Sequence, residues 1–402
     1  MKIGIIREGK VPPDSRVPLT PEQCALVNRE YPVEVVIQGS PQRCYADEEY
    51  RRAGVSIVDE VADCEVLLGV KEVPIDQLLD NKQYFFFSHT FKKQAYNRGL
   101  LQAILARGIH LVDYEALTNE RGQRLIAFGH FAGMVGAHNG LLTYGLRSGQ
   151  YQLPRMKDCR DYAEALQHYA QVQLPALKIV LTGTGRVATG AAQVLRDLGI
   201  QAVEPTAFLH QDYDRAVFTQ LACEDYAERR DGQPFAREDF YAHPERYQSR
   251  FAPYAQTAHI MINGIYWDNR APAFFSPAEM RQTDFKLEVI ADVTCDIAPL
   301  SSIPATLRPS TIADPIFGYD PVTEAETAPF QATGIDMMTI DNLPNELPRD
   351  ASQSFGEQFI ASIVQELVQT EASAVIERAS VAIDGQLGPH YGYLKDFVAG
   401  RE

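Results

Sequence analysis

Two side chains and one turn in this sequence have types and spacings that suit chemistry. The run CEVLLGV ends at Lys71-Glu72, and the run YFFFS ends at His89. Open α/β sheets collect ligands at the carboxyl ends of their strands, a placement that lets Lys71 and His89 face one cleft. An amine and an imidazole there suit proton transfer near neutrality. Each also has an ordinary reading: a lysine just past a strand is commonly a solvated loop charge, and a single histidine a hydrogen-bonded structural one. The turn lies in LKIVLTGTGRVATGAAQVLRDLG, Leu177 to Gly199, where an apolar run enters a glycine turn and a helical pattern leaves it. Gly183, Gly185 and Ala188 fit G-x-G-x-x-G/A, the pattern that lets a pyrophosphate approach the backbone at a helix N-terminus. Ala202-Val203-Glu204 reads as a second strand ending in an acid about 20 residues further on, as a dinucleotide-binding unit requires.

The surrounding elements are those of an α/β chain. KIGIIRE reads as a strand, PLTPEQCALVNREY as a helix opened by Thr20-Pro21, and VEVVIQ as the next strand. Strands and helices alternate to about residue 135, which predicts a parallel sheet that is complete without the glycine turn. Phe128 to Tyr144 is rich in Gly and Ala and nearly uncharged, as a closely packed helix leading out of a first domain would be. Residues 206–256 are polar, aromatic and charge-dense, and read as a surface excursion of short helices. Buried strands resume at AHIMIN and KLEVIADV. The tail SFGEQFIASIVQELVQ is amphipathic, with Phe355, Phe359, Ile360, Ile363 and Val364 on one face, and returning to the first domain would bury that face. The expected fold is therefore α/β: two Rossmann-like domains with parallel sheets, separated by a cleft. The first comprises residues 1–135 plus 342–402 and binds substrate; the second, 136–341, binds the dinucleotide.

At 402 residues, two domains are the default. A formal charge of -16 argues against nucleic acid or an anionic membrane as partner. The six cysteines form no CxxC pair and no Cys/His cluster, so they read as free thiols and no metal site is expected. No apolar run approaches the ~18 residues of a membrane span, and no leader pattern opens the sequence. A cytoplasmic protein is expected.

A series of blocks occurs in a telling order: RVPLTP (16–21), LLGVKE (67–72), FFSHTFKKQ (86–94), VDYEAL (112–117), AFGHFAG (127–133), HPERYQSRF (243–251), MINGIYW (261–267) and TIDNLPNELPRDAS (339–352). Together they resemble the saccharopine dehydrogenase group, which shares a two-domain architecture with alanine dehydrogenase. The PERYQSRF insertion and the NGIYW after it resemble the lysine-ketoglutarate reductase half of aminoadipic semialdehyde synthase more than the shorter fungal NAD-dependent, lysine-forming enzyme. That likeness weakens the surface-excursion reading of 206–256.

The resemblance implies a reaction in which the ε-amine of L-lysine and 2-oxoglutarate join as an imine that NAD(P)H reduces to saccharopine, or the reverse. It makes Lys71 and His89 the acid-base pair. It implies Arg16, Lys92 and Arg124 as cations for substrate carboxylates, with Glu72, Gln94 and Glu115 as their partners or contacts to the lysine end. Gly183, Gly185, Arg186, Val187, Glu204, Asn263, Asp292 and Asp341 are expected to serve the coenzyme, Asp341 near the nicotinamide or as the cap of its Pro turn. Glu204 would repel a 2'-phosphate and favour NAD, whereas Arg186 would offset it; the balance leans to NADP. The competing readings are an alanine dehydrogenase-like amino acid dehydrogenase, which the SHTFKKQ and PERYQSRF blocks oppose, and a non-catalytic dinucleotide sensor, which would have no use for the acid-base pair.

Overall fold

The structure, a computed structural model, describes residues 1–369 and 373–401. The chain divides into two compact units, Met1–Phe128 with Pro348–Glu402, and Gly129–Leu347.

The first unit is built on an eight-stranded sheet. Strands Lys2–Ile5, Glu34–Gln38, Ser56–Val58, Val66–Leu68, Gln83–Phe86 and His110–Asp113 are all parallel. They are short, β-branched and aromatic, as strands covered on both faces must be. The helix Pro21–Glu30 starts at the expected residue: Thr20 and Gln23 form a reciprocal capping box ahead of Pro21. The sheet is mostly parallel, as expected; at one edge Ser380–Ile383 adds antiparallel to His110–Asp113 and turns back into Gln386–Leu387. Asp384 and Gly385, with φ of 48° and 80°, make that turn, and Asp-Gly is the dipeptide that tolerates two positive φ values.

The tail returns to this unit. Its helix Pro348–Phe359 continues through a π-helical turn, Ile360–Val364. Phe355, Phe359, Ile363 and Val364 are fully buried in one core with Ile3, Ile5, Phe85 and Tyr114, and Ile360 packs at its edge. Each such side chain contributes roughly 1.5–3 kcal/mol on burial, so the tail is structural to the unit and not an appendage.

The second unit also carries an eight-stranded sheet. Lys178–Thr182, Gln201–Ala202, Val217–Leu221, Ile260–Asn263, Val289–Asp292 and Ile335–Met338 run parallel, and Ile316–Asp320 and Ala325–Thr327 close one edge antiparallel. The Gly/Ala-rich helix Gly129–Ser148 lies wholly in this unit, so the junctions fall at 128/129 and 347/348 and not at 135/136 and 341/342. Its composition has a direct cause. A Cβ on Gly133 would sit 1.7 Å from the Val187 carbonyl oxygen, and one on Gly190 would sit 1.9 Å from that of His130. The helix therefore meets Arg186–Asp197 backbone to backbone.

Candidate active site

The parallel strands of the first unit bring most of the sequence-predicted substrate residues to one end of its sheet. The strand Gln83–Phe86 leads into Ser88 and His89, and His89 adopts a left-handed conformation with φ 53°. Asp113 holds it there. This buried carboxylate accepts hydrogen bonds from the Ser88 amide (2.8 Å), the Ser88 hydroxyl (2.6 Å) and the His89 amide (3.1 Å), and its other oxygen accepts from the Glu115 amide (2.8 Å). One side chain thus fixes both loops that carry the site, although burial pushes its carboxyl above the ordinary range.

The Glu72 carboxylate joins the cluster. His89 Nδ1 lies 2.8 Å from one of its oxygens, and Lys10 Nζ lies 2.6 Å from the other. Burial pushes this carboxyl up, but the hydrogen bonds from His89 and Lys10 outweigh burial and bring it down to about 2. Glu72 is therefore ionised and only accepts hydrogen bonds, so the neutral imidazole carries its proton on Nδ1 and leaves Nε2 as the acceptor. That Nε2 is 4.0 Å from Glu115, which Lys92 contacts at 2.7 Å and Arg124 at 3.5 Å. Burial raises the Glu115 carboxyl; Arg124 and Lys92 outweigh it and hold it below the usual range.

Lys71 sits just past Val66–Leu68. Burial lowers its ammonium below the ordinary value, the cations Arg16 and Lys10 lower it further, and Asp14 and Glu72 pull the other way. A lysine shifted down in this manner is prepared to act as a base. Arg16 is 3% exposed, with Nε 2.9 Å and Nη2 2.6 Å from Asp14 and its guanidinium 4.3 Å above the Phe128 ring. Its bidentate face is therefore directed at Asp14, not at an external carboxylate. Gln94 is exposed and accepts from the Tyr96 hydroxyl, outside this hydrogen-bonded cluster.

The second unit holds the glycine turn. Gly183 has φ 97°, and a Cβ there would lie 2.6 Å from the Gly264 carbonyl oxygen, so only glycine fits. Gly185 precedes the helix Arg186–Asp197, and nothing lies within 4 Å of where its Cβ would be. An open helix N-terminus bordered by glycine fits a pyrophosphate. It gives onto a cavity of 680 Å³ lined by Gly183, Gly185, Arg186, Val187, Gly264 and Asp268, among others. Cys223, Tyr226, Phe240, Tyr241 and Trp267 also line it. The segment read as a surface excursion thus forms one side of the cavity.

Three of the residues expected to serve the coenzyme, Glu204, Asn263 and Asp292, do not line this cavity. Glu204 ends the edge strand Gln201–Ala202, and Val217–Leu221 lies between that strand and Lys178–Thr182. Glu204 is exposed, and Glu224 follows the end of Val217–Leu221, the strand next to Lys178–Thr182. Asn263 and Asp292 are fully buried and do not line the cavity. Asn263 accepts from Thr182 (2.7 Å) and donates to Asp292 and Ser302 (2.9 Å each), while Asp292 also accepts from Thr294 and Thr306 (2.7 Å each). They tie strand ends together beneath the turn. Asp341 is exposed on the second unit.

Glu8 and Asp113 escaped the sequence reading. Both are acids at strand ends whose partners are backbone amides, and such partners leave no local pattern. Among the described residues, no group of His, Cys, Asp and Glu is placed to hold a metal ion, and no helix is long and apolar enough to cross a membrane.

The fold class is that of alanine dehydrogenase. An L-alanine dehydrogenase superposes with a TM-score of 0.67 at 18% identity, covering 99% of this chain and 100% of that one. Residues 4–135 match the N-terminal domain of the alanine dehydrogenase/PNT family. The sequence relatives are more particular. The chain is 30% identical to alpha-aminoadipic semialdehyde synthase of Arabidopsis thaliana over 98% of its own length. It is 28% identical to the NAD(+), L-lysine-forming saccharopine dehydrogenase of Emericella nidulans, covering 90% of this chain and 92% of that protein. It spans only 41% of the Arabidopsis protein. The resemblance read from the sequence blocks is borne out.

Proposed function

We propose that this protein is an NAD(P)-dependent oxidoreductase acting on the CH-NH bond of saccharopine, condensing L-lysine with 2-oxoglutarate reductively or running the reverse. The observation that carries this reading is the strip Lys10–Glu72–His89, with a lysine of lowered pKa beside it, on a chain whose relatives bear saccharopine dehydrogenase and aminoadipic semialdehyde synthase names.

The chemistry needs two proton carriers. Lys71 takes a proton from the lysine ε-ammonium, freeing the amine to attack the keto carbon. His89 Nε2 moves a proton from the carbinolamine nitrogen to its oxygen, and the Lys71 ammonium gives its proton to the same oxygen, which leaves as water while the iminium keeps one N–H; the Nδ1–Glu72 bond keeps the ring in the required tautomer. Lys92 and Arg124, which share Glu115 as partner, exchange it for substrate carboxylates, and Arg16 contributes its charge beside Lys71. Gly183, Gly185 and the start of Arg186–Asp197 would hold the pyrophosphate of a nicotinamide dinucleotide, which would supply the hydride for the iminium carbon. NADP is the preferred coenzyme, because Arg186 lines the cavity and the charge of Glu224 is matched by Arg237. The six thiols, none in a disulfide, suit a cytoplasmic setting.

The test is NAD(P)H consumption with lysine plus 2-oxoglutarate, beside ammonia plus pyruvate. Turnover with the first pair is expected; turnover with only the second would replace this reading by an alanine dehydrogenase-like one, which the shared fold makes the natural competitor.

A further inference from the structure

The strands Lys2–Ile5 and Val66–Leu68 are parallel neighbours, and their ladder ends where the Ile6 amide donates to the Leu68 carbonyl at 3.0 Å. Beyond it the two chains separate, and the amides of Val70 and Lys71 lose the partners a continuing strand would offer. Buried amides must find others. Both find Glu8: its two carboxylate oxygens accept from the Val70 amide at 2.6 Å and from the Lys71 amide at 3.0 Å. The approach is close, since a Cβ on Gly69 would lie 3.4 Å from the same carboxylate. On the other side, the Val70 carbonyl accepts from the Phe87 amide at 3.0 Å. The peptide that joins Val70 to Lys71 is thus gripped from both neighbouring strands, and one grip is a side chain.

We infer that Glu8 is the positioning residue for Lys71, a two-oxygen clamp on the backbone from which the amine projects. The inference rests on the proposed function for what Lys71 does, but the clamp itself is a matter of geometry. The clamp is also sensitive to protonation. An ionised carboxylate accepts at both oxygens, whereas a protonated one retains a single carbonyl acceptor for two amides. Burial pushes the Glu8 carboxyl up to about 7, with Asp14 adding to the rise and Arg16 and the two amides opposing it. Facing it from beside the strand His110–Asp113 is Tyr114, whose buried hydroxyl has no hydrogen-bond partner among the described residues and whose own pKa burial and Glu8 both raise. Glu8 also lines a cavity of 580 Å³ with Arg7, Lys10, Gln38 and Gln77, a route for proton exchange. The clamp is therefore tightest above neutrality and opens as pH falls through about 7.

The experiment uses the full chain without substrates. The pH dependence of Lys71 modification by trinitrobenzenesulfonate is followed by peptide mass spectrometry in wild type, Glu8→Gln and Glu8→Asp. Gln offers one acceptor and a clashing NH2 group, so Lys71 is released toward water and its midpoint should rise by about one pH unit, a tenfold change in proton affinity. Asp keeps the charge but is one methylene short of reaching both amides, so it should behave like Gln. An unchanged midpoint in Glu8→Gln overturns the inference, and full rescue by Asp shows that charge and not position is at work, which also overturns it. Should the variants not fold, hydrogen exchange of the Val70 and Lys71 amides in wild type decides: protection corrected for intrinsic rate should fall about tenfold between pH 8 and pH 6, and constant protection overturns the clamp. Where lysine plus 2-oxoglutarate support turnover, Glu8→Gln should lower kcat about tenfold with KM within about threefold. A midpoint shift in a protein inactive on that pair would retain the clamp and reject the proposed substrate.

Discussion

Replacing Glu72 by Gln tests the proposed proton path at its most exposed assumption, the tautomer of His89. In the native cluster the carboxylate takes Lys10 Nζ at 2.6 Å and His89 Nδ1 at 2.8 Å. A Gln side chain offers one oxygen and one NH2 group. The Lys10 ammonium has only donors, so it claims the oxygen and turns the NH2 toward Nδ1. That arrangement is satisfied only when Nδ1 is the acceptor and Nε2 carries the proton, the reverse of what the carbinolamine step needs. Recovering the productive tautomer means giving up one hydrogen bond to a charged group, about 1.5–3 kcal/mol, and at about 1.4 kcal/mol per factor of ten this lowers kcat about 10- to 100-fold. KM should change little, because the substrate carboxylates are assigned to Lys92 and Arg124. Two measurements check this: steady-state kcat at neutral pH, and the 15N shifts of the His89 ring, which report the tautomer without substrate. A Glu72→Gln protein that keeps the Nδ1–H form and turns over within threefold of wild type would refute the reasoning.

Lys71→Met should cut turnover at least 100-fold while leaving dinucleotide affinity unchanged, since a base contributes about 10²–10⁴ in rate; equal turnover by steady-state assay removes Lys71 from the chemistry. Glu204→Ala should leave the ratio of NADPH to NADH dissociation constants unchanged, because Glu204 is exposed at the end of an edge strand, whereas Arg186→Ala should shift that ratio about tenfold toward NADH. Fluorescence titration reads both, and a ratio that moves with Glu204 would restore that residue to the site. Gly133→Ala must place a methyl 1.7 Å from the Val187 carbonyl oxygen, a contact that only helix separation relieves. It should destabilise by about 3 kcal/mol or more, seen as a clear loss in thermal midpoint.

How much of this was legible follows from how local each signal is. Thr20-Pro21 starts its helix because a capping box spans only three residues, and the glycine turn is recognisable because its geometry is written into neighbouring residues. The apolar face of Phe355, Phe359 and Ile363 needs only helical periodicity, and the core it joins is that of Ile3, Ile5, Phe85 and Tyr114. The Asp384-Gly385 turn carried an equally local signal that the strand count left unread. What stayed hidden depends on partners far along the chain. Asp113 holds the amide of His89, and Glu8 that of Lys71, across intervals no pattern spans. The place of Glu204 was hidden because sequence order does not determine strand order: the crossover after Arg186–Asp197 passes to the sheet edge, and the later strand Val217–Leu221 fills the gap.

The segment from 206 to 256 shows why composition alone misassigns such a stretch. Its charges are mostly matched within it: Arg229 binds Asp231 and Asp239 at 2.7 Å each, Arg246 binds Asp239 at 2.9 Å, and Arg237 pairs with Glu224. Surface ion pairs contribute little to stability, so they do not explain why the segment is ordered. The aromatic residues do. Phe235, Phe240 and Tyr247 pack ring to ring at 5.0 to 5.5 Å around a two-stranded ribbon, Ala227–Arg229 with Tyr247–Ser249. Each such pair adds about 0.5–1.5 kcal/mol beyond its burial. With the charges turned to one another, Phe240, Tyr241 and Tyr226 are left to face the cavity beside the glycine turn, where flat apolar rings suit a purine. A charge-dense insertion can therefore present an apolar wall, and here that wall stands where the dinucleotide is proposed to bind.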